Sequence, residues 1–288
     1  MKFSFIAKHR GIWPAAWMCE ALGVSRGGFY AWLTRPRSAR SRSNEDLAAR
    51  VRASFLASHR TYGATRVRRD LIADGVACGL HRIERLMRLH GLTARPRRRR
   101  LPLDLGKRQA AAVAANVLDR RFQAPAPNRK WIADFTCIWT AEGWLYVAAV
   151  LDLFSRRVVG WSMNANMAAQ LVTDALTMAI WRRGKPEALL HHSDQGSQYT
   201  SEQFQRLLAD HGITCSMSRA GNVWDNAVME SFFSSLKTEW TARRTYQTRD
   251  EARADVFDYL ERFYNPRRRH STLGYLSPAE FERRATSA

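Results

Sequence analysis

The run Trp131-Ile132-Ala133-Asp134-Phe135-Thr136-Cys137-Ile138-Trp139 is apolar on both sides of a single carboxylate. A run of this kind reads as a largely buried strand. An ionised, unpaired aspartate inside such a strand costs several kcal/mol, so the fold must bring a cation or hydrogen-bond donors to Asp134.

Two more carboxylates stand where they could share that cation. Asp194 follows the apolar run Ala188-Leu189-Leu190 and precedes Gly196, which predicts a strand delivering its carboxylate into a loop. Glu230 sits in a helical pattern in which Val228, Phe232 and Leu236 form one stripe, while Ala227, Glu230, Ser234 and Lys237 form another. If the apolar stripe is buried, Glu230 and Lys237 look outward together. Asp134, Asp194 and Glu230 then form one hard-oxygen site suited to Mg²⁺ or Mn²⁺.

The surrounding residues make the likeness specific. Trp131 to Ile138, His191-His192-Ser193-Asp194 to Thr200, Asp225-Asn226-Ala227 to Lys237, and Tyr264-Asn265 to Pro278 resemble the second-reading-frame product of insertion-sequence-three family transposases. The resemblance covers nearly the whole chain. It implies a ribonuclease H-like, integrase-type mixed-sheet core, in an α/β chain whose amino-terminal region is all helical and of helix-turn-helix type. It also implies that Asp134, Asp194 and Glu230 are the catalytic metal ligands, holding two ions. The expected reaction is phosphodiester transfer: water exposes a 3′ hydroxyl at an element end, and that hydroxyl attacks a second phosphodiester. Lys237 is expected to bind phosphate beside the scissile bond.

Charge points to the same partner. The net charge is +20 and the sequence pI about 10.9, as for a chain that meets a polyanion. Residues 1–108 carry 24 Lys and Arg against 7 Asp and Glu, while the rest carries 22 against 19. The amino-terminal third is thus the expected electrostatic handle for DNA, with Arg66 and Arg69 on its helices and the run Arg97, Arg98, Arg99 and Arg100 as a phosphate-tracking arm. Asn226 and Arg268 are further candidate DNA contacts. Arg268 lies in the basic, aromatic-bearing turn Tyr264 to Tyr275.

In order, the chain predicts helices over Pro14–Leu22, Ser25–Leu33, Asn44–His59, Ala64–Asp74 and Gly79–His90, and a helix-prone stretch Gln109–Leu118. Pro125-Ala126-Pro127-Asn128 marks the entry to the core. Three strands follow at 131–139, 144–151 and 157–163, then a helix Ala168–Arg183, the strand into Asp194, a helix Ser201–His211 and a short strand Ile213–Ser218. Hairpins first and helix-strand alternation afterwards imply a mixed sheet covered by helices. The domain reading is a helical DNA-binding region at 1–94, a basic linker at 95–124, the catalytic core at 125–240 and a helical, basic extension at 241–288.

Several tempting residues have plainer readings. His191 and His192 are adjacent on a strand and point to opposite faces, so packing fits them better than shared ligation. Ser193 lacks a nucleophile-elbow pattern. Asp152 reads as a turn former, and Trp224, beside the loop 219–222, as a possible DNA contact.

No run of about 18 apolar residues predicts a membrane span, the amino terminus is too soon charged for a signal peptide, and four scattered cysteines fit a reducing bacterial cytoplasm, near the nucleoid. Expected partners are the element's terminal repeats and target DNA, further copies of the chain, and an upstream-frame product as fusion or partner. In the family that upstream frame supplies a coiled coil, and residues 1–110 show no sustained heptads. Two rival readings remain: a metal nuclease of the same fold that never joins strands, and a DNA-binding regulator with merely structural carboxylates.

Overall fold

The computed structural model describes residues 1–35, 38–95, 114–184, 188–219 and 222–287. The arginine run 97–100 and the first half of the helix-prone stretch 109–118 lie outside these residues. Its described end, 114–118, is not helical, and the Val117 and Leu118 amides both donate to Ser216 Oγ.

Three short helices, α1 (Lys2–His9), α2 (Ala15–Ala21) and α3 (Arg26–Thr34), share a small core of Ile6, Met18, Cys19 and Phe29. Ser25 caps α3, accepting from the Gly28 amide, as its position in the sequence predicts. The next helices, α4 (Ala39–Ala57), α5 (Ala64–Ala73) and α6 (Leu80–Leu89), bury Val51, Val67, Leu71, Ile83 and Leu86. These residues belong to the same apolar cluster as one face of the sheet beyond. The helical region expected over 1–94 therefore has two cores, and the second is continuous with the rest of the molecule.

The sheet has five strands in the order β3-β2-β1-β4-β5: β1 (Lys130–Thr140), β2 (Gly143–Asp152), β3 (Val158–Asn164), β4 (Leu190–Ser193) and β5 (Thr214–Met217). The first three pair antiparallel, and β4 and β5 join parallel to β1 and to each other. Period-two alternation on β1 splits its side chains. Trp131 and Ala133 meet α7 (Ala169–Arg183) and α8 (Glu202–Asp210) in one core, while Ile132 and Ile138 join the other, where α9 (Ala227–Leu236) and α10 (Arg249–Phe257) lie. Gly160 lets α7 approach β3: a β-carbon there would stand 2.1 Å from Ala175 O. With helices on both faces of this mixed sheet, the core is ribonuclease H-like.

After α9 the chain keeps turning with the wider π-type winding over Lys237–Thr241, and α10 does the same over Asp258–Tyr264. A final helix, α11 (Pro278–Thr286), sends Glu282 back to Arg157, Arg183 and Ser155. Asp152 is the turn former expected: buried, it accepts from the Asn128 and Phe154 amides. Among the described residues no helix is long and apolar enough to cross a membrane, and the four cysteines are free thiols.

Candidate active site

Parallel register places the first two carboxylates. Trp131 pairs with His191 and Ile132 with His192, so Asp134, within β1, and Asp194, just past the end of β4, each three residues beyond the first pair, stand side by side on neighbouring strands. Asp134 shares its parity with Ile132 and Ile138, the face that α9 covers, and α9 carries Glu230. The fold thus brings together the three carboxylates singled out by sequence.

Their electrostatics follow from that crowding. Burial first, then the charges of Asp194 and Glu230, push the Asp134 carboxyl up to about 8, against the Phe135 amide that donates to its Oδ1 at 2.8 Å and the charge of Lys237. Glu230 stands at the exposed rim, and the part of it that is covered raises its carboxyl. Asp194 Oδ1 accepts from the Gly196 amide at 2.9 Å. Lys237 is exposed and close enough for its charge to reach Asp134, so the shared face expected for Glu230 and Lys237 survives the change of winding at 237.

Whether this set suits a divalent cation rests on its chemistry. All three donors are carboxylates, and Asp134 sits half-buried in negative charge that Lys237 only partly offsets, as suits a hard cation. As the side chains stand, no three His, Cys, Asp or Glu among the described residues converge closely enough to enclose an ion.

Beside the carboxylates lie groups that sequence reasoning passed over. The Tyr199 hydroxyl is buried without a hydrogen-bond partner among the described residues; burial and the charges of Asp134 and Asp194 raise its pKa well above the usual phenol value. Its ring lies 6.3 Å from His191 and 6.4 Å from Phe135, and its amide closes the turn after Asp194 by donating to Gly196 O at 3.0 Å. Asp225, quoted above only as part of a motif, is a buried hub: Arg219 Nη2, Arg120 Nε and Asn116 Nδ2 reach its two oxygens at 2.8–2.9 Å. Those bonds, Arg219 first, hold its carboxyl well below the usual range and fix the loop that enters α9. An aspartate followed by asparagine gives no hint of partners six and more than a hundred residues away.

The histidines do pack rather than ligate. His192 bridges Ser216 Oγ at 2.9 Å and Ser218 Oγ at 3.1 Å, and burial brings it down to about 4. His191, also fully buried, is brought down to about 3 by burial and lies against Tyr199 and Phe204.

The expected DNA contacts divide. Arg69 is exposed, its guanidinium 5.1 Å from the Tyr275 ring centroid, and Trp224 is 64% exposed. Three others turn inward, contrary to the outward reading. Asn226 is buried at the start of α9. Arg268, 5% exposed, donates Nε and Nη2 to the two Glu239 carboxylate oxygens at 2.6 Å each, and Arg66 adds a longer contact to Glu239 at 3.5 Å. A buried carboxylate must be paired, and Glu239 claims the cations that composition assigned to the surface.

Comparison with known proteins agrees with this arrangement. Residues 124–223 and 211–278 match family models described as integrase core domain, and residues 42–100 match one described as HTH-like domain. The transposase InsF for insertion sequence IS3A of Escherichia coli (strain K12) is 42% identical over 284 residues, covering 98% of each chain. The insertion element IS600 uncharacterized 31 kDa protein of Shigella sonnei is 38% identical over 264 residues, covering 92% of this chain and 97% of that one. Among solved structures, the HTLV-2 integrase catalytic core domain in complex with magnesium aligns with 55% of this chain and 99% of its own at 18% identity and a TM-score of 0.43. With 42% identity along 98% of its length, the chain belongs to the insertion-sequence-three family of transposases.

Proposed function

We propose that this transposase cuts and joins DNA strands at the ends of its insertion sequence with Asp134, Asp194 and Glu230 as a divalent-metal-binding triad. The observation that carries the reading is the crowding of Asp134 by Asp194 and Glu230 in a half-buried position, a cost that a fold keeps where a cation is to be held. Bound Mg²⁺ or Mn²⁺, as one or two ions, would activate the attacking oxygen and stabilise the leaving one. The chain's own residues do the rest. Asp134 and Asp194, on strands of a rigid sheet, fix the donor positions, and Glu230 completes the set from α9. Lys237 holds a phosphate beside them by charge, and exposed Arg69 and Trp224 supply contacts further out. No covalent intermediate is needed, so Ser193, whose hydroxyl donates to Asp194 O at 3.2 Å, is assigned no nucleophilic part.

The chain would work on DNA as a homo-oligomer, with the upstream-frame product as fusion or partner, in the bacterial cytoplasm. The deciding experiment incubates the purified protein with labelled element ends, with and without Mg²⁺. Joined products that need the metal support the reading. Cleavage with no joining at any ratio of ends to target would make the chain a nuclease, and metal-independent binding with neither product would make it a regulator.

A further inference from the structure

A cavity of about 570 Å³ lies between α5, α9, the turn after β2 and the segment 264–272. Its charged lining is four guanidinium groups, Arg66, Arg95, Arg156 and Arg268, against the single carboxylate Glu239. Arg268 and Glu239 satisfy each other through two bonds. Among the described residues the other three cations have no carboxylate of their own there. Among those residues Arg66 has its long contact to Glu239 and lies 5.5 Å from the Tyr62 ring centroid, Arg95 Nη1 donates to the Glu239 carbonyl, and Arg156 Nη2 donates to Phe122 O. Arg156 Nη1 is buried with no acceptor among the described residues. A buried guanidinium hydrogen-bond donor left without a partner is costly unless an anion completes it.

The surplus is felt by its neighbours. Burial, then Arg268, lowers Arg66, and burial followed by Arg268, Arg66 and Arg156 holds His270 neutral, well below its ordinary pKa. The remaining walls include Ser231, Ser271 and Thr272 as hydroxyls and Val228, Phe232 and Tyr264 as an apolar floor. Ser231 follows Glu230 on α9, so the cavity flanks the helix that brings the third carboxylate.

We propose that this cavity binds a phosphate group of a single DNA strand, with the attached sugar and base against Phe232 and Tyr264, as the strand passes the carboxylates. The volume is that of a site for one small-molecule-sized unit such as a nucleotide, too confined for a duplex. The assignment deepens the strand-transfer reading: Arg66 and Arg268, unavailable on an outer surface, act from the wall of an interior site.

The test uses the full chain in EDTA, so the carboxylate site is silent and a failure of the metal-binding reading leaves the result unmoved. The probes are a 5′-phosphorylated thymidine dinucleotide, too short for distributed contacts over the basic surface, and inorganic phosphate alone. Thr272→Trp plugs the exposed rim without changing charge, and Arg95→Gln removes one cation, with Arg95→Lys as its partial restoration. Both Thr272→Trp and Arg95→Gln are expected to bind the dinucleotide about tenfold more weakly than wild type, one charge-assisted contact's worth, with melting temperatures showing the fold intact. Inorganic phosphate should compete with the dinucleotide. No dinucleotide binding by wild type, or equal binding by wild type and both variants, overturns the proposal. Binding of phosphate without binding of the dinucleotide overturns the strand assignment and leaves a free-anion site.

Discussion

The Gly196 amide donates to Asp194 Oδ1 at 2.9 Å, and a β-carbon added at 196 would stand 2.9 Å from that same oxygen. The glycine is thus both the hydrogen-bond donor that orients the carboxylate and the gap that lets it lie there. Gly196→Ala should push the Asp194 side chain aside and lower strand transfer by at least about tenfold, since small misplacements at a reacting centre cost factors of up to about a hundred. Melting temperature should move little, because the nearest atoms that must give way, Asp194 Oδ1 and Gln198 Oε1, are the ends of side chains. Transfer within twofold of wild type would show that the carboxylate needs no such seat.

Asp134→Asn, Asp194→Asn and Glu230→Gln should each abolish cleavage and joining and leave DNA binding roughly intact, because each keeps its shape and loses only an anionic ligand. Electrophoretic shift and end-joining assays on the same preparations separate the two. Joining near wild-type level by any of the three removes that residue from the site.

Asp134 also has a pH signature. Its folded pKa of about 8 lies above the ordinary aspartate value, so without metal the folded state holds a proton that the unfolded chain gives up. Its contribution is therefore most favourable at low pH and is lost as pH rises from about 4 to 8, at up to about 1.4 kcal/mol per pH unit. In EDTA, Asp134→Asn should stabilise the chain more at pH 8 than at pH 5 in urea melts. An equal gain at both pH values would mean that the carboxyl is not crowded. His191 and His192, at about 3 and about 4, act in the opposite sense: their contribution is full above about 6.5 and is lost as pH falls toward 4.

Lys237→Ala should weaken productive end binding and lower transfer strongly, while Lys237→Arg restores part of both, since its charge reaches Asp134 from an exposed position. Crosslinking from a cysteine placed at 237 should label nucleotides next to the cut. Label only at distant nucleotides would detach Lys237 from the carboxylates.

Arg268→Ala should cost about 3–5 kcal/mol of stability, the loss typical when a buried ion pair is broken on one side and Glu239 is left unpaired. The double change Arg268→Met with Glu239→Gln should be much milder. If Arg268→Ala instead keeps its melting temperature and loses only duplex DNA affinity, the residue is a surface contact after all.

The strands, the helix cap at Ser25 and the crowding of Asp134 could be read from sequence because each leaves a local signal: an apolar run, a capping residue before a periodic one, or a charge inside an apolar run. The fate of Arg66 and Arg268 could not. Their partner Glu239 is 173 and 29 residues away, and composition counts every arginine as a surface charge until something buried claims it. Tyr199 was hidden because a tyrosine after a loop gives no sign that its hydroxyl will be enclosed between strands. The short helix α1 escaped because its apolar stripe is only Phe3, Ile6 and Ala7, and α11 because the residues it buries, Pro278 and Glu282, make no apolar stripe.

Tyr62 accepts from the Arg269 amide and donates to Arg267 O at 2.9 Å, while Asp70 pairs with Arg269 and Arg66 reaches Glu239. These bonds fasten α5 and the turn before it to the segment 267–269 and, through Glu239, to the continuation of the helix bearing Glu230. This helical module is therefore not a freely detachable reading head: a graft after residue 95 would take Asp70 from Arg269 and the Arg66 contact from Glu239, which would keep Arg268. Under the proposed reading, changes in what the chain recognises would fall to exposed positions such as Arg69, Arg85 and Arg88, or to α1–α3, which has a core of its own.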